Sequence, residues 1–307
     1  MEMLRTKRHR LTPRRPRALL LFLLFLPSTV LGCFQDVSHA DESLVAVRTA
    51  QNEEGKQSEL KVLAEGFQSA IKSPFVALVR DADTYAALMK LDGNLPKLDD
   101  EFFKTKVVVA AFLGERNTGG YSIEISRDAA GIRVMEKKPG KEMMVTQMIT
   151  SPFKIVAVEG MSNKPGWLTL DDAWQSRMSP FHVNSARFGM SGGIAGMREE
   201  FSLGGTIGVL RAGSLATFQF RLIAPAAKKR RALIEHATGV VGSDNNIKVG
   251  RMSADSFIDP PNTGLQADGM FSDGGKRLSL NLWSRPSMIT DGYSGQGSIE
   301  AGLADKP

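Results

Sequence analysis

The chain of 307 residues has one cysteine and only four histidines. A single thiol cannot form an internal disulfide bond, whatever the redox state of its compartment. The histidines lie far apart in the sequence, whereas metal sites bring several nitrogen, sulfur or oxygen ligands together, commonly at short spacing. A phosphate-binding loop and a dinucleotide fingerprint are also missing. The sequence therefore predicts neither a metal nor a cofactor.

Long apolar runs are scarce as well. The run at residues 18–26 is far shorter than the roughly 20 residues that a transmembrane helix needs, and no later segment approaches that length. Seven Lys or Arg residues precede this run, and Pro27 follows it. That layout is typical of a secretory signal peptide, so residues 1–32 predict an exported chain without a transmembrane helix.

The single cysteine, Cys33, directly follows Gly32 at the end of this signal. A small residue before a cysteine in this position resembles a bacterial lipobox, which predicts lipidation of Cys33 and a lipid anchor in the bacterial cell envelope. The alternative is cleavage after Ala40, which would discard Cys33 and give a soluble periplasmic or secreted protein. Residues 33–59 are polar and predict a flexible tether.

The charge balance gives no indication of a nucleic-acid partner. The whole chain carries 39 basic and 33 acidic residues, but seven of the basic residues and one acidic residue precede residue 33. The remainder holds 32 of each and is neutral. Because nucleic-acid binding needs a basic face on the folded domain, we expect no nucleic-acid partner.

Residues 60–160 have the pattern of an α+β domain, mostly antiparallel sheet with a short helix. Asp81 or Asp83 is in place to cap the helix, which carries Tyr85, Leu88 and Met89 on one side. Apolar or alternating segments predict strands at 75–79, 107–113, 121–126, 132–136, 144–149 and 154–158. This unit is large enough for a core of its own.

The sequence after this domain differs in composition and in its hydrophobic pattern. Of the 30 glycines, 19 lie from Gly189 onward, between short alternating runs. Phe218, Phe220 and Leu222 alternate with polar residues, and Leu278, Leu280 and Leu282 repeat the pattern. This predicts an all-β antiparallel sandwich or barrel of about seven to nine strands at 185–307, joined by a linker at 161–184.

A polar loop follows the apolar strand at 107–113. Its glycines allow a sharp turn before Tyr121 begins the next alternating run. One interpretation is a simple hairpin loop. The other is a recognition surface, because loops on a rigid scaffold commonly carry binding residues, and the candidate partner-binding residues are then Arg116, Asn117, Thr118, Gly119, Gly120 and Tyr121.

Five blocks between residues 60 and 159 resemble the C-terminal domain of the PrcB family. In order they are GFQSAIKSPFVALVRDADTYAAL, LDDEFFKTKVVVAAFLG, TGGYSIEI, GIRVMEKKPG and TQMITSPFKIVAV. These proteins are envelope lipoproteins named after an accessory subunit of a bacterial surface protease. The resemblance implies an exported protein partner, such as a protease, and surface location. It implies no catalytic residues.

These observations predict a non-enzymatic, lipid-anchored module that binds a protein or assists a protease. One alternative is a protease inhibitor that inserts loop 117–121 into a cleft, since this loop loosely resembles the NPTTGY loop of chagasin-type inhibitors. A second is a serine hydrolase using Ser191 in the sequence GMSGG at 189–193. That chemistry needs a strand-to-helix elbow followed by an acid and a histidine, whereas the sequence around Ser191 is β-rich.

Overall fold

The computed structural model describes residues 60–128, 131–159, 168–192, 197–224, 231–252, 265–284 and 294–304. Cys33, the predicted signal peptide and the predicted tether lie outside these residues. Strands make up most of the described chain. None of the helices in these segments has the length and apolar character needed to cross a bilayer.

The described part of residues 60–175 forms two small sheets with short helices. The first sheet contains β1 (Leu60–Gly66), β6 (Phe153–Glu159), β3 (Lys106–Phe112) and β2 (Phe75–Val79), in that spatial order and all antiparallel. The second contains β4 (Ser122–Asp128), β5 (Gly131–Lys137) and β7 (Leu168–Leu170). The helices are α1 (Ala82–Leu91), α2 (Asp100–Thr105) and α3 (Asp172–Gln175).

These elements follow from local sequence. All of β2 and all but the first residue of β3 are buried, as an apolar run without alternation predicts. Asp81 caps α1, because its carboxylate accepts a hydrogen bond of 2.8 Å from the Thr84 amide. The antiparallel character and the capped helix of the α+β prediction are confirmed, although β5 and β7 are parallel and the helices are short.

One predicted strand is wrong. Residues 144–149 lie in an irregular loop between β5 and β6. Their apolar residues occur as adjacent pairs, Met143 with Met144 and Met148 with Ile149. Adjacent residues of a strand point to opposite faces, so such pairs cannot together line one buried face.

The strands from residue 179 onward form a closed antiparallel barrel, so the sandwich alternative is wrong. They run β8 (Ser179–Gly192), β9 (Met197–Ser202), β10 (Gly204–Ala212), β11 (Leu215–Ala224), β12 (Arg231–Val241), β13 (Asn246–Met252), β14 (Leu265–Ser272), β15 (Arg277–Ser284) and β16 (Ser294–Leu303), with a 3₁₀ turn at Asp273–Gly275.

Eight strand positions complete the ring. Neighbours in sequence pair in order from β10 to β16, and β16 then pairs with β8. The long strand β8 closes the circle by pairing its first half with β10 and its second half with β9. Leu203 joins β9 to β10 and donates its amide to the Ala186 carbonyl at 3.0 Å.

The barrel interior is filled by side chains. Phe218, Phe220 and Leu222 point inward from β11, and Leu278, Leu280 and Leu282 point inward from β15, all nearly inaccessible to solvent. These are the two alternating runs that the sequence predicts. The rings of Phe218 and Phe271 stack at 6.2 Å between centroids. A small barrel filled in this way is a packed core.

The barrel and the preceding sheets share buried contacts. Leu210, Ala212 and Leu215 belong to the same buried cluster as the apolar side chains of β2 and β3. The Leu78 amide donates to the Thr238 hydroxyl at 3.0 Å. Residues 168–184, which the sequence assigns to the linker, contain β7, α3 and the start of β8. Residues 160–167 lie outside the described residues.

Candidate functional site

The polar loop predicted from the sequence begins where β3 ends. Gly114 has φ +71°, a conformation that L side chains rarely adopt. A Cβ at this position would lie 2.6 Å from the Lys72 carbonyl oxygen, so close backbone approach also requires glycine. The Glu115 amide donates to that same carbonyl at 3.0 Å. These contacts fix the direction in which the loop leaves the sheet.

The loop then packs against residues 138–150, which we call the methionine loop. Arg116 and Thr150 exchange two backbone hydrogen bonds, of 2.8 and 2.9 Å. The Thr150 hydroxyl donates to the Thr118 carbonyl at 3.0 Å, and the Gly119 amide donates to the Thr146 carbonyl at 2.9 Å. The two loops therefore form one surface.

Both central glycines have structural roles. A Cβ on Gly119 would collide with the Thr146 hydroxyl. Gly120 has φ +81°, and its Cβ would lie 2.8 Å from Val145 Cγ1 and 2.9 Å from Pro139 Cβ. The turn therefore needs small residues to allow the methionine loop to approach.

Arg116 is turned inward, toward a buried carboxylate. The side chain of Glu136, on β5, is only 2% exposed and accepts hydrogen bonds from Arg116 Nη2 at 3.4 Å and Arg177 Nη2 at 2.6 Å. Each guanidinium also lies over an aromatic ring, Arg116 over Tyr121 at 5.5 Å and Arg177 over Trp174 at 5.4 Å. This arrangement connects the loop, β5 and the segment after α3.

The structure thus divides the six predicted residues into two groups. Asn117 and Gly120 are exposed, while Thr118 is partly accessible. Arg116 and Tyr121 are partly buried against each other, and Gly119 is buried. Asn117, Thr118 and Gly120 therefore offer atoms to a partner, whereas the side chains of Arg116 and Tyr121 are in contact with each other. Their role in binding stays a prediction.

The methionine loop exposes large apolar side chains beside this turn. Met144 is fully exposed, and Met143, Met148 and Ile149 each expose more than half of their surface. Phe67, just after β1, is 61% exposed. Its carbonyl accepts a hydrogen bond from the Ser151 amide at 2.8 Å, and the neighbouring Gln68 side chain donates to the Ile149 carbonyl at 3.1 Å.

We call these five residues, Phe67, Met143, Met144, Met148 and Ile149, the methionine surface. Large apolar side chains exposed together on neighbouring loops are typical of an interaction site, and methionine adapts to irregular partner surfaces because it is flexible and polarizable. The sequence pattern does not predict this surface, because it assigns Met144, Met148 and Ile149 to a strand at 144–149. The signal that was present is the lack of alternation at 143–149.

Ser191 lies in a different setting from the one a nucleophile elbow requires. It is on β8, between Ser294 of β16 and Arg198 of β9, and its hydroxyl is 3.3 Å from that of Ser294. Both neighbouring strands are antiparallel to β8, and the next described element after Ser191 is a strand, β9. Within the described segments, no three His, Cys, Asp or Glu side chains are grouped closely enough to hold a metal ion.

Part of the chain that contains this site matches a known protein family. Residues 107–159 match the PrcB C-terminal family. The match spans β3, the polar loop, β4, β5, the methionine loop and β6, and it confirms the family resemblance seen in the sequence. It covers both loops of the candidate site, but not the barrel. No curated protein matches the chain in a comparison with characterised sequences.

Proposed function

We propose that the chain is a non-enzymatic accessory module that binds an exported protease through the methionine surface and the adjoining Asn117–Thr118 edge. The observation that carries this proposal is the exposed methionine surface, of which all residues but Phe67 lie inside the PrcB C-terminal match at 107–159. An accessory protein needs a surface that binds its partner, and it needs no catalytic residues of its own. An exposed apolar centre bordered by polar atoms from Asn117 and Thr118 has the composition of a protein interface.

The fixed backbone around this surface favours protein binding further. Two β-bridge hydrogen bonds and the Gly119–Thr146 contact hold the methionine loop in place, so little conformational entropy is lost when a partner binds. The long side chains remain free to adapt on top of that backbone.

Capture of a protease from envelope extracts tests the proposal. The bait is the full chain, compared with a Met144→Ser/Met148→Ser variant. The matched control is Met270→Ser, because Met270 is an exposed methionine on the outer face of the barrel. We expect capture to fall at least roughly tenfold in the double variant and to persist in the control. Equal capture by all three baits would contradict the proposal.

The inhibitor alternative differs in its effect on the captured protease. An accessory module leaves the protease active, whereas an inhibitor blocks peptide hydrolysis and loses that effect when Asn117 and Thr118 are both changed to Ala. Measuring hydrolysis of a short peptide by the purified complex separates the two functions.

We also propose that lipidated Cys33 anchors the module to a membrane of the bacterial envelope. The position of Cys33 after Gly32 supports this, and the two or more acyl chains of a lipoprotein are enough for stable anchoring. Cys33→Ala should move the protein from the membrane fraction to the soluble fraction and abolish labelling by a fatty-acid analogue. A mature terminus at Asp41 would instead support cleavage after Ala40.

A further inference from the structure

A second candidate site lies on the outer face of the barrel. A shallow groove of about 480 Å³ crosses β9, β8, β16 and β15. A smaller depression of about 370 Å³ shares Gly189, Arg198, Trp283 and Gln296 with it and continues the groove toward Ser191. The combined depression therefore covers these four strands and extends along them, from Arg187 to Ser191 on β8.

The floor of the groove is open because Gly189 has no side chain. Its neighbour Phe188 points into the barrel and is fully buried, so alternation directs position 189 outward. A Cβ added to Gly189 would approach no atom more closely than 3.9 Å. Glycine is thus not required here by packing, and its effect is to leave space in the groove.

One wall carries a partly exposed aromatic side chain, Trp283 on β15. Its indole Nε1 donates a hydrogen bond of 3.0 Å to the side-chain oxygen of Gln266 on β14, which holds the ring in position. Trp283 is paired across the sheet with Gln296 on its other side. The groove thus has a fixed apolar ring beside a side-chain amide.

The remaining lining is polar and mixed in charge. Arg187, Arg198, Glu200 and Gln296 surround the floor, and none of their side chains has a hydrogen-bond or ion-pair partner among the described residues. Asn281, next to Trp283, is held through its amide nitrogen by Asp268 at 3.1 Å, which leaves its amide oxygen as an acceptor. Donors and acceptors therefore converge on one space.

We propose that this groove binds a saccharide chain. A sugar ring has an apolar C–H face that packs on an indole, and its hydroxyl groups both donate and accept hydrogen bonds. The groove presents these features together: one oriented indole, two amides, one carboxylate, two guanidinium groups and an open floor. The combined extent of the two depressions leaves room for several linked sugar units.

Other ligand classes fit less well. An extended peptide would pair with a free strand edge or insert side chains into apolar pockets. β8, β16 and β15 are each paired on both edges, and the edge of β9 that has no partner among the described strands lies on the side opposite β8, away from the groove. In the described lining, Trp283 is the one large apolar side chain that is partly exposed. A nucleic acid needs a predominantly basic surface, whereas Glu200 lies among the two arginines.

Fluorine NMR on the full chain labelled with 5-fluorotryptophan tests this proposal, since the chain has three tryptophans and Trp283→Phe assigns the Trp283 signal. The probes are soluble tetrasaccharides of β-linked glucose and of β-linked N-acetylglucosamine. We expect at least one of them to shift the Trp283 signal at concentrations below about 10 mM. The two probes separate a plain glucan ligand from an amino-sugar polymer.

Substitutions in the groove test whether the saccharide binds there. Gly189→Leu fills the floor and should weaken binding at least roughly tenfold, as should Trp283→Ala. The matched control is Gly204→Leu, because a Cβ added to Gly204 would also have no atom within 4 Å and this residue lies on β10, outside the groove. Trp283→Phe, which keeps an aromatic face, should retain binding measured by isothermal titration calorimetry.

Two outcomes would overturn the proposal. The first is the absence of any shift of Trp283 with either saccharide up to that concentration. The second is saccharide binding that survives unchanged in Gly189→Leu, which would place the ligand elsewhere. Because Gly189→Leu adds a side chain to open space, a folded variant is expected, and its thermal midpoint verifies this. This site is independent of the proposed protease-binding surface.

Discussion

Gly120 and Gly140 flank the same pair of loops but have different physical roles. Gly120 has a positive φ, and a Cβ added to it would lie closer than 3 Å to two atoms. A Cβ added to Gly140 would make only ordinary contacts, the nearest at 3.5 Å, with the flexible side chain of Met143. Sequence alone predicted that Gly119 and Gly120 form the turn. It could not show which atoms the turn approaches, because those belong to a loop about 25 residues farther along the chain.

Gly120→Ala should therefore lower the free energy of unfolding by about 1 kcal/mol or more, through backbone strain and steric overlap. Gly140→Ala is the control and should change it by less than about 0.5 kcal/mol. Urea unfolding monitored by circular dichroism measures both. Equal effects of the two substitutions would contradict the assigned role of Gly120.

Tyr85 gives a prediction for alkaline pH. It is buried in α1, donates its hydroxyl to the Pro96 carbonyl at 2.7 Å, and burial raises its pKa to about 12 from 10. Since the folded state holds the proton more tightly than the unfolded state, this contribution to stability is complete below pH 10 and is lost as the pH rises from 10 toward 12.

We expect Tyr85→Phe to be less stable at pH 8, because the hydrogen bond to Pro96 is removed, but to lose less further stability than the wild type between pH 10 and 11. Thermal midpoints at these pH values measure the difference. An identical alkaline loss in both proteins would show that other groups cause it.

At the scale of elements, the predictions succeeded where a segment's own residues determine its environment. The apolar run of β3 and the alternating runs of β11 and β15 were predicted because burial follows directly from their periodicity. The loop at 138–150 was not predicted, because its position depends on Arg116, Thr118 and Gly119 in another segment. The Glu136 site was missed for the same reason, since its two arginines are 20 and 41 residues away.

Glu136 connects three elements, so its removal should be costly. Glu136→Ala leaves Arg116 and Arg177 without their shared carboxylate in a partly buried site, and we expect a loss of about 3 kcal/mol in the free energy of unfolding. The control is Glu124→Ala on the neighbouring strand, because the Glu124–Lys137 pair is about half exposed and should contribute less than about 1 kcal/mol.

Chemical denaturation measures these losses, and hydrogen exchange locates them. The Gly119 amide, which donates to Thr146, should exchange faster in Glu136→Ala than in Glu124→Ala. Unchanged protection of Gly119 would show that the Glu136 site does not stabilise the loop pair.

At the scale of the whole molecule, a buried ion pair connects the first sheets to the barrel. Arg80, just after β2, and Glu235, on β12, are separated by 3.3 Å, and each side chain is 1% exposed. Lys248 and Asp83 also join the two parts, at 3.7 Å, but their side chains are at least 80% exposed. Both ion pairs therefore join the first sheets to the barrel, but one is buried and the other is exposed to solvent.

Glu235→Ala should destabilise the protein by about 3–5 kcal/mol, because it removes one partner of a buried charge pair. Asp83→Ala should cost less than about 1 kcal/mol. Arg80→Met/Glu235→Leu should recover much of the loss, since an apolar pair avoids burying a charge. Calorimetry tests these values, and a single transition shared by both parts would agree with their common buried cluster. Equal losses for Glu235→Ala and Asp83→Ala would contradict this account.

The order of strands in the barrel has a consequence for how the protein folds. Each strand from β11 to β16 can pair with its predecessor as synthesis proceeds. The ring closes only when β16 inserts between β15 and β8, which begins more than a hundred residues earlier. Until then, the outer edges of β8 and β15 stay open to pairing with other chains. The slowest and most aggregation-prone stage of folding should therefore precede the arrival of β16.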